Sequence, residues 1–260
     1  MVRSGQAIPS FVRLAGHPVR WHLLAELTAG DFRVRELTAR VGRPQNLVSY
    51  HLRQLRGGGL VTARRSSFDA RDTYYHLDLD RCAHALITTG TALHPALSLQ
   101  QRPPAMPGGG PCRPRVLFAC TGNSARSPIA EALLRHRAGG HVEVLSAGSR
   151  PKPRIHPHAV RVLRDRFGID IADQFPRHLD TVADRPFDHV ITLCDKVREV
   201  CPEFGDHPRF VHWSIPDPAA TGDADDDGYP AFIRIAAQID ARIRHLMTVL
   251  AATPRPEEEP

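Results

Sequence analysis

Val116-Leu-Phe-Ala-Cys120-Thr-Gly-Asn-Ser-Ala-Arg126-Ser127-Pro128 places a cysteine and an arginine six residues apart at the exit of an apolar run. The four residues before Cys120 are β-prone or small, which predicts a buried strand. Ser127-Pro128 and the Ile-Ala-Glu-Ala-Leu-Leu-Arg-His that follows predict an amphipathic helix, capped by Ser127 and carrying proline in its first turn. The connecting residues, Thr121, Gly122, Asn123, Ser124, Ala125, Arg126 and Ser127, therefore end on a helix N-terminus. Their backbone N–H groups, with Gly122 permitting close approach, make an anion nest to which the helix dipole adds partial positive charge. That field favours the thiolate of Cys120, the form that acts as a nucleophile. Arg126 offers a planar fork suited to two oxygens of a tetrahedral oxyanion, a geometry that lysine lacks.

From about Pro114 to Leu250 these residues resemble the low-molecular-weight protein tyrosine phosphatase superfamily, and within it the arsenate reductases of the thioredoxin-coupled type. The resemblance implies a small doubly wound α/β domain on a parallel sheet, with the Cys120 loop at the strand C-termini. It also assigns roles. In His212-Trp-Ser-Ile-Pro-Asp217-Pro-Ala219, Asp217 matches the family's general acid. Tyrosine phosphatases of this group usually follow that Asp-Pro with an aromatic residue, and Ala219 stands there instead, a departure that favours a small inorganic oxyanion.

A second segment, Val190-Ile-Thr-Leu-Cys194 to Cys201-Pro202, puts two cysteines after an apolar strand. In the arsenate reductases a pair at this position completes a thiol relay. Carried over, Cys120 attacks arsenate, Cys194 attacks the Cys120 adduct to release arsenite and form a Cys120–Cys194 disulfide, and Cys201 resolves it. The resulting Cys194–Cys201 disulfide is then left for thioredoxin. No resident cofactor is implied, only an external reductant, thioredoxin or a low-molecular-weight thiol. The alternative reading of the pair is two buried structural cysteines, while no Cys-x-x-Cys spacing or nearby histidine pair supports zinc. Asn123, Glu131 and Ser146 match positions that pin the loop or hold potassium in relatives. Arg177 replaces an acidic fourth member, which argues against potassium dependence.

The chain's 260 residues suffice for two compact domains. Arg102-Pro-Pro-Ala-Met-Pro-Gly-Gly-Gly-Pro-Cys-Arg-Pro114 is too rich in proline and glycine for a helix or strand interior. The expected organisation is a DNA-binding domain over 1–97, a linker over 98–114, a catalytic domain over 115–252 and a disordered tail over 253–260. Charge divides at the same place. Residues 1–95 hold 13 arginines against 7 acidic residues, whereas the remainder holds 21 basic and 21 acidic residues. Concentrated arginine on a small domain points to a nucleic-acid partner, because counterion release from phosphates drives much of such binding.

The pattern of the first domain agrees. His17-Pro18 opens an amphipathic helix, Val34 to Gly42 makes a short one ending on glycine, and Pro44 to Gly57 makes a second, with Leu47, Val48, Leu52 and Leu55 on one face. Gln45, Asn46, Ser49, Tyr50 and Arg53 lie largely off that face. This is helix-turn-helix geometry, in which the second helix enters the major groove of a double-stranded DNA operator. Leu60 to Arg65 and Asp72 to Leu77 read as a β-hairpin wing, with Arg64 and Arg65 towards a basic tip. Over residues 7 to 97 the pattern resembles the winged-helix repressors of the arsenical-resistance (ArsR) family, carried by Val48 to Leu55 and Gly59-Leu60-Val61. The resemblance implies a homodimer formed by a helix from about Asp80 to Leu97. The Cys-x-Cys pair that many relatives carry between Phe32 and Gly42 is missing. Cys82 and Cys112 are the remaining soft donors for trivalent arsenic, with incidental cysteines as the alternative.

Five cysteines without a disulfide pattern, no signal peptide and no membrane-length apolar segment lead to the expectation of a cytoplasmic protein. The 15 histidines are scattered and give no metal site. Asp223 to Asp227 reads as a solvated loop before a final helix, Tyr229 to Leu250.

Overall fold

The protein is described by a computed structural model over residues 8–94, 97, 113–200, 209–221 and 228–252. The expected linker over 98–114 falls mostly outside these residues, as do the tail, the acidic run, Cys112 and Cys201. The chain divides into two compact units, Met1–Arg102 and Pro103–Pro260.

The first unit opens with α1 (Ser10–Ala15) and α2 (Pro18–Leu27), followed by a short β1 (Phe32–Arg33), α3 (Val34–Val41) and α4 (Gln45–Gly57). His17 caps α2 through its ring, accepting from the Val19 N–H, and Pro18 occupies the first turn, where no donor is needed. α3 ends on Gly42 at φ 63°, the left-handed conformation that glycine adopts without a Cβ penalty. Its N-terminus is closed by Glu36, whose carboxylate accepts from the Arg33 N–H at 2.7 Å. β2 (Val61–Arg65) and β3 (Thr73–Leu77) form an antiparallel hairpin, and β1 pairs with the far side of β3, giving the order β1-β3-β2. α5 (Leu79–Leu93) closes the unit, four residues short of the expected end at Leu97.

The core of this unit joins Leu23, Leu24 and Leu27 of α2, Leu37 of α3, Val48, Leu52 and Leu55 of α4, and Val61 and Leu77 of the hairpin. One detail corrects the sequence reading of α4. Leu47 is exposed and His51 is buried, so the inward stripe is Val48, His51, Leu52 and Leu55. A step of three then four residues follows the helical period, and the ring of His51 packs at 4.3 Å against that of His17.

The second unit is a four-stranded parallel sheet among the described residues, of order β5-β4-β6-β7: β4 (Arg115–Cys120), β5 (Glu143–Gly148), β6 (His189–Thr192) and β7 (Phe210–His212). All three pairings are parallel. Connections leave β4 in both directions, so a crevice opens at the C-terminal end of β4, the position where ligands bind in open α/β sheets. Val116 and Phe118 point to one face, where α6 (Arg126–Ala138), α7 (Pro157–Phe167) and α9 (Tyr229–Ala252) cover a large apolar core. Leu117 points to the other, with Val190 and Val182 in a smaller cluster beneath a 3₁₀ turn at Leu179–Val182. α8 (Asp195–Val200) follows β6 directly. No helix among the described residues is long and apolar enough to cross a membrane.

Candidate active site

β4 delivers Cys120 to the crevice, and α6 begins six residues later at Arg126. The helix is not amphipathic, as its sequence suggested, but buried on every side from Arg126 to Leu134. Ser127 is also not its cap. It lies within the first turn, and its hydroxyl is 2.9 Å from the Cys120 Sγ. Because Ser127 Oγ accepts from Asn123 Nδ2 at 2.9 Å, its own proton is free to point at the sulfur. The Asn123 backbone N–H also points at Sγ, at 3.3 Å. The sulfur thus has two polar groups within hydrogen-bonding reach at a helix N-terminus.

Asn123 is the only non-glycine residue with positive φ among those described, at 42°. Asparagine is among the few residues that tolerate this region. Its side chain is fully engaged: Nδ2 donates to Ser127 Oγ and to Ser146 Oγ at 2.9 Å, and Oδ1 accepts from the Arg177 N–H at 2.7 Å. Ser146 in turn donates to Glu131 Oε2 at 2.5 Å. Glu131 is fully buried beneath the loop and pairs with Arg135 and with Arg177, whose Nη1 is 3.2 Å from Oε2. The cation beside this carboxylate is thus supplied by the chain itself.

Gly122 was expected to be the residue that lets the backbone come close. A methyl placed there would meet only Ser124 Oγ at 3.4 Å and Lys152 Cγ at 3.5 Å, both ordinary contacts. The steric demand falls on Gly148 at the end of β5, where a Cβ would lie 2.6 Å from the Thr121 carbonyl oxygen and 2.9 Å from the Asn123 nitrogen.

Arg126 is buried, and its guanidinium is held from the opposite wall. Nη1 donates to the Ile215 carbonyl at 3.1 Å and Nη2 to Asp217 Oδ2 at 3.0 Å. Asp217 is about half exposed and lies at the mouth, so the loop cysteine, the arginine and the carboxylate meet in one crevice. Thr121, Gly122, Ser124 and Ala125 complete the loop between them.

Cys194 follows β6, next to β4 in the sheet, and is buried. The Thr121 hydroxyl lies 3.3 Å from its Sγ, so the second thiol adjoins the residue after Cys120. Burial pushes the Cys194 thiol up, partly opposed by the charge of Arg126 and the Thr121 hydrogen bond. Cys201, its expected partner, lies outside the described residues. Sequence reasoning assigned no role to Asp195, His212 and Ser214. Asp195, fully buried, accepts from Ser214 Oγ at 2.7 Å, and His212 bridges it to Thr192, with Nε2 3.3 Å from Asp195 Oδ1 and Nδ1 2.8 Å from Thr192 Oγ1. The signal available was a histidine and a serine inside the apolar exit of a strand, where buried polar groups need partners.

In the first unit, Gln45, Asn46, Tyr50 and Arg53 are exposed on α4 and Ser49 is half-buried; Arg64 is half-buried and Arg65 exposed at the end of β2. Cys82 is half-buried against this unit's core, its thiol pushed up to about 11 by burial and by Asp78. Its suggested partner Cys112 lies outside the described residues.

A buried cysteine and a buried arginine, placed together at the switch point of a parallel sheet, define an α/β protein with a cysteine loop at a helix N-terminus. The chain belongs to the low molecular weight phosphotyrosine protein phosphatase family, whose model matches residues 115–255, more than half of its length. It is 37% identical over 129 residues to an arsenate reductase of Brevibacillus brevis, covering 50% of this chain and 90% of that protein. An arsenate reductase of Halalkalibacterium halodurans is 34% identical over 129 residues, 50% of this chain and 91% of that one. Among solved structures, a thioredoxin-dependent arsenate reductase of Corynebacterium glutamicum is 37% identical over 53% of this chain and 61% of its own, with a TM-score of 0.41.

Two expectations follow from this geometry. Gly148→Ala forces a methyl into the loop backbone. We expect oxyanion affinity to fall by at least about 10-fold at a stability cost of about 1–3 kcal/mol, read by phosphate titration and chemical denaturation. Cys194, with its raised pKa, is protonated at neutral pH. Its alkylation, mapped by mass spectrometry on the unfolded and the folded chain, should begin at higher pH in the folded chain, and an onset at lower pH would contradict the burial.

Proposed function

We propose that the second unit is an arsenate reductase working by a cysteine relay. The observation that carries this reading is the placement of Cys194 beside Thr121 of the anion loop, since hydrolysis of a phosphoester needs no second thiol there. The likeness to curated arsenate reductases over nine-tenths of their length supports it. So does Ala219, since the residue after Asp217-Pro218 is then not an aromatic one that would hold an aryl group.

In this mechanism the Cys120 thiolate, hydrogen-bonded by Ser127 and the Asn123 N–H, attacks arsenic, while Arg126 and the loop N–H groups hold the equatorial oxygens. Asp217 gives a proton to the departing oxygen, which leaves as water. The Cys194 thiol, deprotonated for the step, then attacks Cys120 Sγ. The S–As bond breaks, its electron pair reduces arsenic from the pentavalent to the trivalent state, and arsenite leaves as a Cys120–Cys194 disulfide forms. Attack by Cys201 on Cys194 frees Cys120, and thioredoxin reduces the resulting Cys194–Cys201 disulfide. A second reading, a protein tyrosine phosphatase, is favoured by Asp217 at the mouth and by the family as a whole.

The first unit we assign as a winged-helix DNA-binding regulator of the arsenical-resistance type, acting as a homodimer on a double-stranded operator. Its support is the succession of α3, the Gly42 turn and α4, with polar residues exposed along α4 and a hairpin following. The positive charge of the chain is concentrated there as well.

Purified protein with thioredoxin, thioredoxin reductase and NADPH should oxidise NADPH only when arsenate is added, and Cys120→Ser and Cys194→Ser should each abolish this. Activity surviving in Cys194→Ser would mean that an external thiol attacks the adduct directly. Hydrolysis of an aryl phosphate without arsenate turnover would establish the phosphatase. For the regulator, affinity for a 30-base-pair duplex should fall linearly with salt on logarithmic axes, and Arg53→Ala should lower that slope by about one. Absence of binding at about 50 mM salt would refute the DNA-binding assignment.

A further inference from the structure

The segment Arg150-Pro-Lys152-Pro-Arg154 is laced to the anion loop. The N–H groups of Arg150 and Lys152 donate to the carbonyls of Thr121 and Gly122 at 2.9 Å, and two residues beyond Arg154 the His156 N–H donates to the Ser124 carbonyl at 2.8 Å. Pro151 and Pro153 fix φ at alternate positions, which stiffens the segment. Arg150, Lys152 and Arg154 are all exposed, and none has a side-chain partner among the described residues. Elsewhere in this unit Arg126, Arg135, Arg137, Arg164, Arg177 and Arg185 are paired with carboxylates.

No acidic residue occurs between Glu143 and Asp165. Residues 96–260 balance 21 basic against 21 acidic groups, so this run of three positive charges is a local concentration and not a share of a general excess. The stem of Lys152 also packs along the loop, its Cγ within 3.5 Å of the place a Gly122 Cβ would take. Its ammonium is two bonds from Cδ, which lies 4.0 Å from the same place. Inside, Arg126 is already occupied by Asp217 and the Ile215 carbonyl, so among the described residues the free cations on the segment laced to the loop are those of the rim.

We propose that Arg150, Lys152 and Arg154 form a cationic collar that captures a doubly charged tetrahedral oxyanion and passes it to the loop. The proposal rests on the reading of that loop as an oxyanion site, which reductase and phosphatase share. Unpaired charges beside a low-dielectric crevice focus the field and raise the local concentration of anions, an effect steeply dependent on ionic strength. At about 0.15 M salt the screening length is about 8 Å, short enough that residues fastened to the loop contribute and distant ones do not.

The test uses the full chain and inorganic phosphate as the probe, and measures protection of Cys120 from alkylation by neutral iodoacetamide, with the modified site identified by mass spectrometry. In Lys152→Met the half-protecting phosphate concentration should rise about 3- to 10-fold, and more when Arg150→Gln and Arg154→Gln are added. Lys152→Arg should restore most of the loss. The dependence on ionic strength should flatten in the triple variant, and so should the preference for anionic iodoacetate over iodoacetamide. Arg185→Gln removes the same charge beside Glu143, at the opposite end of β5 from the loop, and should shift protection less than about 2-fold.

Protection unchanged in the triple variant would overturn the collar, as would an equal shift in Arg185→Gln, which would reduce the effect to net charge. Unchanged protection combined with weaker thioredoxin-driven turnover would assign the rim to a protein partner and equally overturn it. The readout needs no turnover. Phosphate protection without arsenate reduction would sink the reductase and keep the collar, whereas wild-type protein that phosphate does not protect would remove both.

Discussion

The second unit depends on one backbone dihedral, the positive φ of Asn123. The turn it makes directs the loop N–H towards Cys120 Sγ, and Arg126 enters the crevice one helical start later. For a residue with a side chain this conformation costs about 1 kcal/mol or more, so it persists only where the surroundings impose it. Here they do so through the amide itself, whose oxygen and two N–H groups are all taken. The buried carboxylate of Glu131 stands behind that amide by way of Ser146. An ionised group so placed needs compensation, and Arg135 and Arg177 provide it. Loop shape and buried charge are one problem with one solution: neither the asparagine turn nor the carboxylate would be stable alone.

What could be read from the sequence was what lies within about ten residues of itself. The apolar run before Cys120, the loop and the helix after it are a local pattern, and strand, turn and helix appear in that order. The apolar stripe of α4 was readable for the same reason, apart from one position. Leu47 looked inward because it is apolar and His51 was assigned to neither face, yet the 3.6-residue period sets His51 between Val48 and Leu55. The ring of His17 across from it makes that burial workable.

Other features were hidden because the partners lie far apart in the chain. Ser127 carries the signature of a cap, but the loop folds back on it and gives its hydroxyl a sulfur to face. Gly122 looked like the glycine that mattered, since it sits in the loop. The glycine under constraint is on another strand, and only parallel pairing of β4 with β5 reveals that Gly148 lies opposite Cys120. The link from Arg126 to Asp217 spans 91 positions, and the Asp195, His212 and Ser214 group spans 17 to 19. Resemblance to a family could nominate Asp217 from its motif. It offered nothing for Asp195, which has no chemistry of its own and acts by holding its neighbour.

That holding fixes a sulfur. Leu193, just before Cys194, donates its N–H to Ala119 in the central strand, and Asp195, just after it, is clamped to β7 through Ser214 and His212. A residue fastened on both sides behaves as an anvil: its sulfur is held beside Thr121 by the sheet itself. A thiol that reaches Cys194 therefore meets a sulfur whose place is set by the sheet. The fold thus makes Cys194 a fixed post on the sheet, and the clamp around Asp195 is what fixes it.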